Sequence, residues 1–167
     1  MKLKCFKSVL CYIWIVILVG CSSSGSSPTF LPPFKVEVNI IPAEDINVYS
    51  DGSPHPVAIR VYQLREIGAF TKSEFLELYN QDRSVLNEAL VDMINISPVL
   101  PGKTQKLTLD IQQEARYLAV LAEFANYRQL VTKSYISLAD DPDENPVYIR
   151  ITSTEIDIKQ PVDDSWW

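Results

Sequence analysis

The chain has 167 residues, with 15 Lys and Arg against 21 Asp and Glu, a formal charge of −6 and an isoelectric point near 4.8. Phosphate binding needs clustered basic side chains, so this balance excludes nucleic acid and a polybasic membrane contact. Three cysteines and a single histidine leave too few soft ligands for a zinc site.

The chain opens on Lys2, Lys4 and Lys7, with no acidic residue before Glu37. An unbroken apolar run, Val9 to Val19, follows and ends at Gly20-Cys21. A positive stretch, a short apolar core and a small residue before the cut define a secretory signal peptide over residues 1–20. The run is too short for a membrane span, which needs about 20 apolar residues in a helix. Leu18-Val19-Gly20-Cys21 resembles the lipobox of bacterial lipoproteins. The resemblance implies acylation of Cys21, cleavage before it and acylation of the new amine; a plain signal peptide with a chance cysteine is the alternative. Each buried CH₂ contributes about 0.8 kcal/mol, so two or more chains make attachment effectively permanent. Ser22, rather than aspartate, follows the cysteine. By the lipoprotein sorting rules this favours the outer membrane of a Gram-negative cell.

Cleavage removes Cys5 and Cys11, and Cys21 is spent on lipid, so the mature domain has no thiol for a disulfide. Taking Lys2, Lys4 and Lys7 from the 15 basic residues leaves 12 against 21 acidic ones, a formal −9. Residues 21–34 are then the lipidated cysteine and a tether, Ser-rich at first and stiffened by Pro32-Pro33. A flexible chain of this length spans roughly 20 Å.

From there the signal is alternation with period two, which predicts strands. Phe34, Val36, Val38 and Ile40 alternate with Lys35, Glu37 and Asn39 in a first strand. Pro42 to Pro56 reads as a long turn-rich loop containing Asp51-Gly52. Val57-Ile59-Val61 form the second strand. Thr71-Lys72-Ser73-Glu74 has capping-box spacing, with Phe70 and Phe75 placed as a hydrophobic staple. This predicts a helix over about 71–80, with a further turn or two possible over Gln81–Asn87. Phe75, Leu78 and Tyr79 would face the sheet. Leu90–Ile96 and Leu107-Leu109-Ile111 are further strands on either side of Pro101-Gly102. Leu118–Phe124, apolar on both faces except at Glu123, reads as a central strand. Val131–Leu138 and Val147–Ile158 complete seven or eight strands, which points to a mainly β, two-sheet antiparallel β-sandwich over residues 35–160 with an inserted helix after the second strand. Residues 161–167 form a tail.

Candidates for chemistry are sparse. His55 lies between Pro54 and Pro56, and no G-x-S-x-G elbow accompanies it, so it reads as a solvated loop histidine. Asp140-Asp141-Pro142-Asp143-Glu144 lacks the ligand spacing and glycine of a calcium loop and reads as a solvated acidic hairpin. No cofactor and no metal is expected. Trp166-Trp167 can cover a core edge, touch lipid or fray. By contrast, Ile46, Val48 and Tyr49 place apolar side chains in a loop, where exposed apolar groups mark contact surfaces; the alternative is a lid folded back on the sandwich. Asn47, Gly52 and the prolines would shape the loop.

Asp45-Ile46-Asn47, then Gly52, Pro54 and Pro56-Val57, then Arg60-Val61-Tyr62-Gln63-Leu64, resembles the TssJ family of type VI secretion outer-membrane lipoproteins. The likeness continues through Ala69-Phe70, Phe75-Leu76-x-Leu78-Tyr79, Pro101-Gly102 and Tyr117–Ala122 with Phe124, and covers nearly all of residues 35–158. Family members often carry an arginine soon after the Ala-x-Phe; here Ala125-Asn126-Tyr127 precede Arg128. The resemblance implies a transthyretin-like sandwich, non-enzymatic, on the periplasmic face of the outer membrane. It also implies binding to the periplasmic C-terminal region of TssM, with TssL in the same complex. The family's contacting loop corresponds to Asp45, Ile46, Asn47, Val48, Tyr49, Ser50, Asp51 and Gly52. The rival readings are a lipoprotein binding module of another envelope system, pilotin-like or wall-binding, and a hydrolase using His55.

Overall fold

The computed structural model describes residues 31–161; the expected signal peptide, Cys21, most of the tether and the Trp166-Trp167 pair lie outside them. Among the described residues the chain runs β1 (Phe34–Pro42), β2 (Val57–Leu64), α1 (Gly68–Lys72), α2 (Phe75–Leu86) and β3 (Leu90–Val99). It continues through β4 (Gln105–Ile111), β5 (Tyr117–Ala122), β6 (Lys133–Ser137), β7 (Val147–Ile151) and β8 (Ile156–Lys159). Two four-stranded sheets result, ordered β4-β1-β7-β8 and β3-β2-β5-β6.

The inward residues follow from the alternation. Val36, Val38 and Ile40 of β1, Val57, Ile59 and Val61 of β2, and Leu118, Val120 and Ala122 of β5 join Val147, Ile149 and Ile151 of β7 in the core between the sheets. β5 is apolar on both faces because its other face is also covered. Ala119 and Leu121, with Tyr62 and Leu64 of β2, meet Phe70, Leu78 and Leu86 in a second cluster beneath the helices. The β3-β2-β5-β6 sheet is therefore sandwiched twice.

Several local expectations are corrected. One helix over 71–80 is instead two, and the Thr71 hydroxyl bonds the Ile67 and Gly68 carbonyls inside α1 rather than capping a helix. The cap lies three residues on, where the Glu74 N–H donates to Glu77 Oε2 at 2.8 Å. Phe70 lies inside α1, buried at 1% exposure beside the Tyr62 ring, rather than preceding a helix cap, and Tyr79 is 42% exposed. Val147–Ile158 is two strands with a turn at Thr152–Glu155, and β3 runs on through Pro98 to Val99. The two sheets are antiparallel-rich, as expected, with one parallel strand pair, β1 and β7, where Val38 lies opposite Val147 and Pro42 opposite Ile151.

The helices are fastened by charge. Arg60 donates from Nε to Glu123 Oε1 at 2.7 Å and from Nη1 to Asp82 Oδ2 at 2.8 Å, and the Tyr62 hydroxyl donates to the same Asp82 oxygen at 3.2 Å. Burial opposes the Arg60 charge, yet the bonds to Asp82 and Glu123 outweigh it and hold the guanidinium above its ordinary pKa. Burial, reinforced by the Asp82 carboxylate, raises the Tyr62 phenol. α2 is interrupted at Gln81, with φ −143° and ψ 34°, immediately before Asp82. Lys133 from β6 donates to the carbonyls of Phe70 at 2.9 Å, Thr71 at 3.1 Å and Ser73, holding the end of α1 with a cation where the helix dipole is negative.

Candidate functional site

The loop after β1 is built in two parts. Its base is locked. Ile46, expected to display an apolar side chain, is fully buried in the core between the sheets. It cannot present itself to a partner, because the open end of the sandwich needs an apolar plug and Ile46 supplies it. Asn47 is also buried, at 3% exposure, with its backbone in the left-handed region at φ 50°. Its side-chain amide donates to the Pro56 carbonyl at 2.8 Å, and its Oδ1 accepts from the Ala125 N–H at 2.9 Å. One side chain thus ties the loop to the start of β2 and to the segment after β5. The Gly102 N–H donates to the Ala43 carbonyl at 2.9 Å, so the Pro101-Gly102 turn supports the same base.

The tip is exposed. Val48 and Tyr49 stand 41% and 46% accessible, and Ser50, Asp51, Gly52 and Ser53 are exposed with them, as is Asp45 at the base. Tyr49 is not free to swing. Its ring stacks on His55 with centroids 3.9 Å apart and planes at 27°. A tight turn closes behind it: the Gly52 N–H donates to the Tyr49 carbonyl at 2.9 Å and the Tyr49 N–H to the Ser53 carbonyl at 3.2 Å. Gly52 takes φ +76°, which a side chain would strain. The Ser53 N–H donates to Asp51 Oδ1 at 2.9 Å, an Asx turn that, with His55, holds the Asp51 carboxyl below its usual range.

His55 is therefore half-buried packing for Tyr49 rather than a solvated side chain. Its Nε2 lies 3.4 Å from Asp51 Oδ2 without forming a hydrogen bond, and among the described residues no serine is hydrogen-bonded to it. Among the described residues no group of three or more His, Cys, Asp or Glu side chains is placed to hold a metal ion, and no helix is long and apolar enough to cross a membrane. Sequence reasoning missed the polar fastenings. Glu123, the single charge in the β5 stretch, was the one local sign of the Arg60 network. Nothing local marks Gln63, fully buried, which donates to the Asp110 carbonyl at 2.9 Å and accepts from the Gln112 N–H at 2.8 Å.

Residues 35–154 match the sequence model of the type VI secretion lipoprotein family, described as VasD, EvfM and TssJ. The structure is similar to that of Serratia marcescens Lip, described as a membrane-bound component of the type VI secretion system, at 26% identity. That match covers 78% of this chain and 99% of that one, with a TM-score of 0.69. Two likenesses of fold alone accompany it. The lipoprotein TssJ1 of Pseudomonas aeruginosa matches at 20% identity, over 78% of this chain and 98% of that one, with a TM-score of 0.67. A structure described as the TssM C-terminal domain (869–1107) from EAEC matches at 17% identity, over 79% and 100%, with a TM-score of 0.59. No curated protein sequence matches the chain. The family match spans well over half of the chain: the chain belongs to the TssJ family of type VI secretion lipoproteins.

Proposed function

We propose that this lipoprotein is cut after its signal peptide (1–20), acylated at Cys21 and held by its tether (21–34) in the periplasmic leaflet of the outer membrane. Its loop tip binds the periplasmic C-terminal region of TssM, with TssL further along the same complex, and so ties the secretion apparatus to that membrane. Its role is structural, not catalytic. The contact surface is Val48, Tyr49 and the Ser50–Gly52 turn, flanked by Asp45, while Ile46 and Asn47 act from beneath by fixing the base.

The observation that carries this reading is the position of the tip. β1 begins at Phe34, where the tether enters, and ends at Pro42, where the loop begins. The loop therefore occupies the opposite end of β1 from Phe34, with two apolar side chains exposed on a hydrogen-bonded support. Interface energy concentrates in a few such anchors, each costing roughly 2 kcal/mol or more on truncation. Calorimetry of the unacylated mature chain against the TssM periplasmic region tests it. Val48→Ala with Tyr49→Ala should weaken binding by at least about a hundredfold, since 1.4 kcal/mol is tenfold. Lys72→Ala with Arg83→Ala, on the helices, should leave it unchanged. Unaltered affinity in a folded loop variant moves the contact elsewhere, and no binding by the unaltered chain removes TssM as the partner.

A further inference from the structure

The end of the sandwich that carries the loop also carries a second surface. β5 ends at Ala122, opposite Ile59 near the start of β2, and β6 begins at Lys133 opposite Leu121. Residues 123–132 therefore turn at the loop's end of this sheet, and the Asn47 side chain is bonded to them at Ala125. Lys133 holds the end of α1 there, and α2 starts shortly after it at Phe75. Aromatic rings from the turn and the helix meet at this junction. Phe75 stacks on Tyr127 with centroids 4.5 Å apart and planes at 17°, and on Tyr79 at 5.6 Å and 19°. Arg60 lies over Tyr79, 5.3 Å from the ring centroid, and Arg128 lies over Tyr127 at 5.6 Å. The two arginines differ in their partners. Arg60 is already engaged by Asp82 and Glu123, whereas Arg128 is exposed and forms no ion pair among the described residues.

A groove of about 530 Å³ opens beside Arg128, between α2 and the turn, with Glu74, Phe75, Leu76, Tyr127 and Lys133 also in its lining. Leu76 is exposed. Two cations thus face one carboxylate in a chain whose formal charge is −6. Lys133 is turned onto the Phe70, Thr71 and Ser73 carbonyls, which leaves Arg128 as the groove's outward charge. A guanidinium packed over a ring is partly ordered in advance and still offers its N–H fork to a planar carboxylate. We propose that this groove is a second contact for the partner bound by the loop tip and takes an acidic segment of it, with a carboxylate on Arg128 and an apolar side chain against Leu76 and Phe75. The proposal rests on the TssM reading above and extends that contact from Tyr49 across the Ala125–Arg128 turn to α2. Two separated contacts fix the angle at which the partner sits, which two neighbouring apolar side chains on one tip do not. The rival occupant is a second copy of this acidic chain, whose exposed carboxylates carry the same complementary sign.

Calorimetry of the lipoprotein, purified from cells in non-ionic detergent, against the TssM periplasmic region tests the contact. Arg128→Gln should weaken binding about tenfold in about 0.05 M salt and about twofold or less in about 0.5 M, where exposed charges are screened. Leu76→Ala should weaken it about threefold or more at both, because its contact is apolar. Arg128→Lys, which keeps the charge and loses the fork, should recover part of the loss. Lys72→Ala with Arg83→Ala, cations outside the groove lining, should change nothing and so separates a local contact from the chain's overall field. Leu76 and Arg128 are exposed, so circular dichroism of these variants should match the unaltered chain. Unchanged affinity of Arg128→Gln at low salt, with Val48→Ala and Tyr49→Ala weakening binding as above, overturns this proposal alone. A loss of equal size at both salt concentrations overturns it too, because Arg128 then acts by packing on Tyr127. Sedimentation of the lipoprotein by itself completes the test: a dimer dissolved by Arg128→Gln gives the groove to a second copy and overturns the proposal. No binding by the unaltered chain removes the TssM reading and this proposal together.

Discussion

Asn47→Ala tests whether the loop is built as a fixed base carrying an exposed tip. The substitution removes both amide bonds, leaving the Pro56 carbonyl and the Ala125 N–H without partners at a site only 3% exposed. An orphaned buried group costs about 1–3 kcal/mol. A β-carbon at φ 50° adds about 1 kcal/mol more for Ala than for Asn, whose side chain supports the left-handed region. A loss of about 3 kcal/mol in unfolding free energy is expected, allowing for partial rescue by water. Asn47→Gly relieves the backbone but not the hydrogen bonds, and should recover roughly 0.5–1 kcal/mol after the extra chain entropy of glycine. Urea unfolding followed by circular dichroism measures both, with an unchanged slope showing that the states being compared are the same. If Asn47→Ala falls within about 1 kcal/mol of the unaltered chain, or Asn47→Gly is the less stable of the two, the amide is not what fixes the base.

Cys21→Ser should leave an uncut precursor that takes up no fatty-acid label and abolish secretion; a variant that still labels and fractionates with outer membrane refutes the lipobox reading. His55→Ala should leave folding and secretion intact while weakening TssM binding roughly threefold to tenfold, the worth of one aromatic stack of about 0.5–1.5 kcal/mol. Lost secretion at unchanged affinity would instead revive catalysis. Arg60→Lys should cost about 2 kcal/mol in thermal unfolding, because an ammonium cannot reach Glu123 and Asp82 together as the planar guanidinium does. A neutral result would mean that the packing of Phe70, Leu78 and Leu86 and the Lys133 bonds hold the helices without the Arg60 network.

What the sequence displayed and what it hid follow from range. β1 and β4 were legible because one face of each is buried and the other wet, which period two records directly. The second apolar face of β5 announced a central strand but not the helices that cover it. The helix start was misplaced because Thr71 and Glu74 have capping-box spacing, while burial of Phe70 depends on contact with Tyr62, whose ring is 5.7 Å away. The break inside Val147–Ile158 carries neither glycine nor proline. It is made by the Thr152 hydroxyl, which accepts from the N–H groups of Thr154 and Glu155 at 3.2 and 3.1 Å. Ile46 shows the limit most clearly: in a polar loop it looks like a displayed anchor, and only the sandwich end it plugs makes it core. Parallel pairing of β1 with β7 is likewise invisible, since side-chain alternation does not name a strand's neighbour.

The rigidity of the loop base has a reason in the proposed function. β1 spans nine residues, so at about 3.3 Å per residue the loop stands roughly 30 Å from Phe34. Under the proposed anchoring, residues 21–34 would add roughly 20 Å of reach to that span. A flexible tip would add its own ordering cost of about 0.5–1.5 kcal/mol per side chain to that of docking the domain. Asn47, the His55 stack and the Gly52 turn lower that cost in advance. A protein that couples a lipid leaflet to a protein partner can leave freedom in the tether only if little is left in the contact itself. The buried Ile46 and Asn47 are as much a part of that contact as the exposed Val48 and Tyr49.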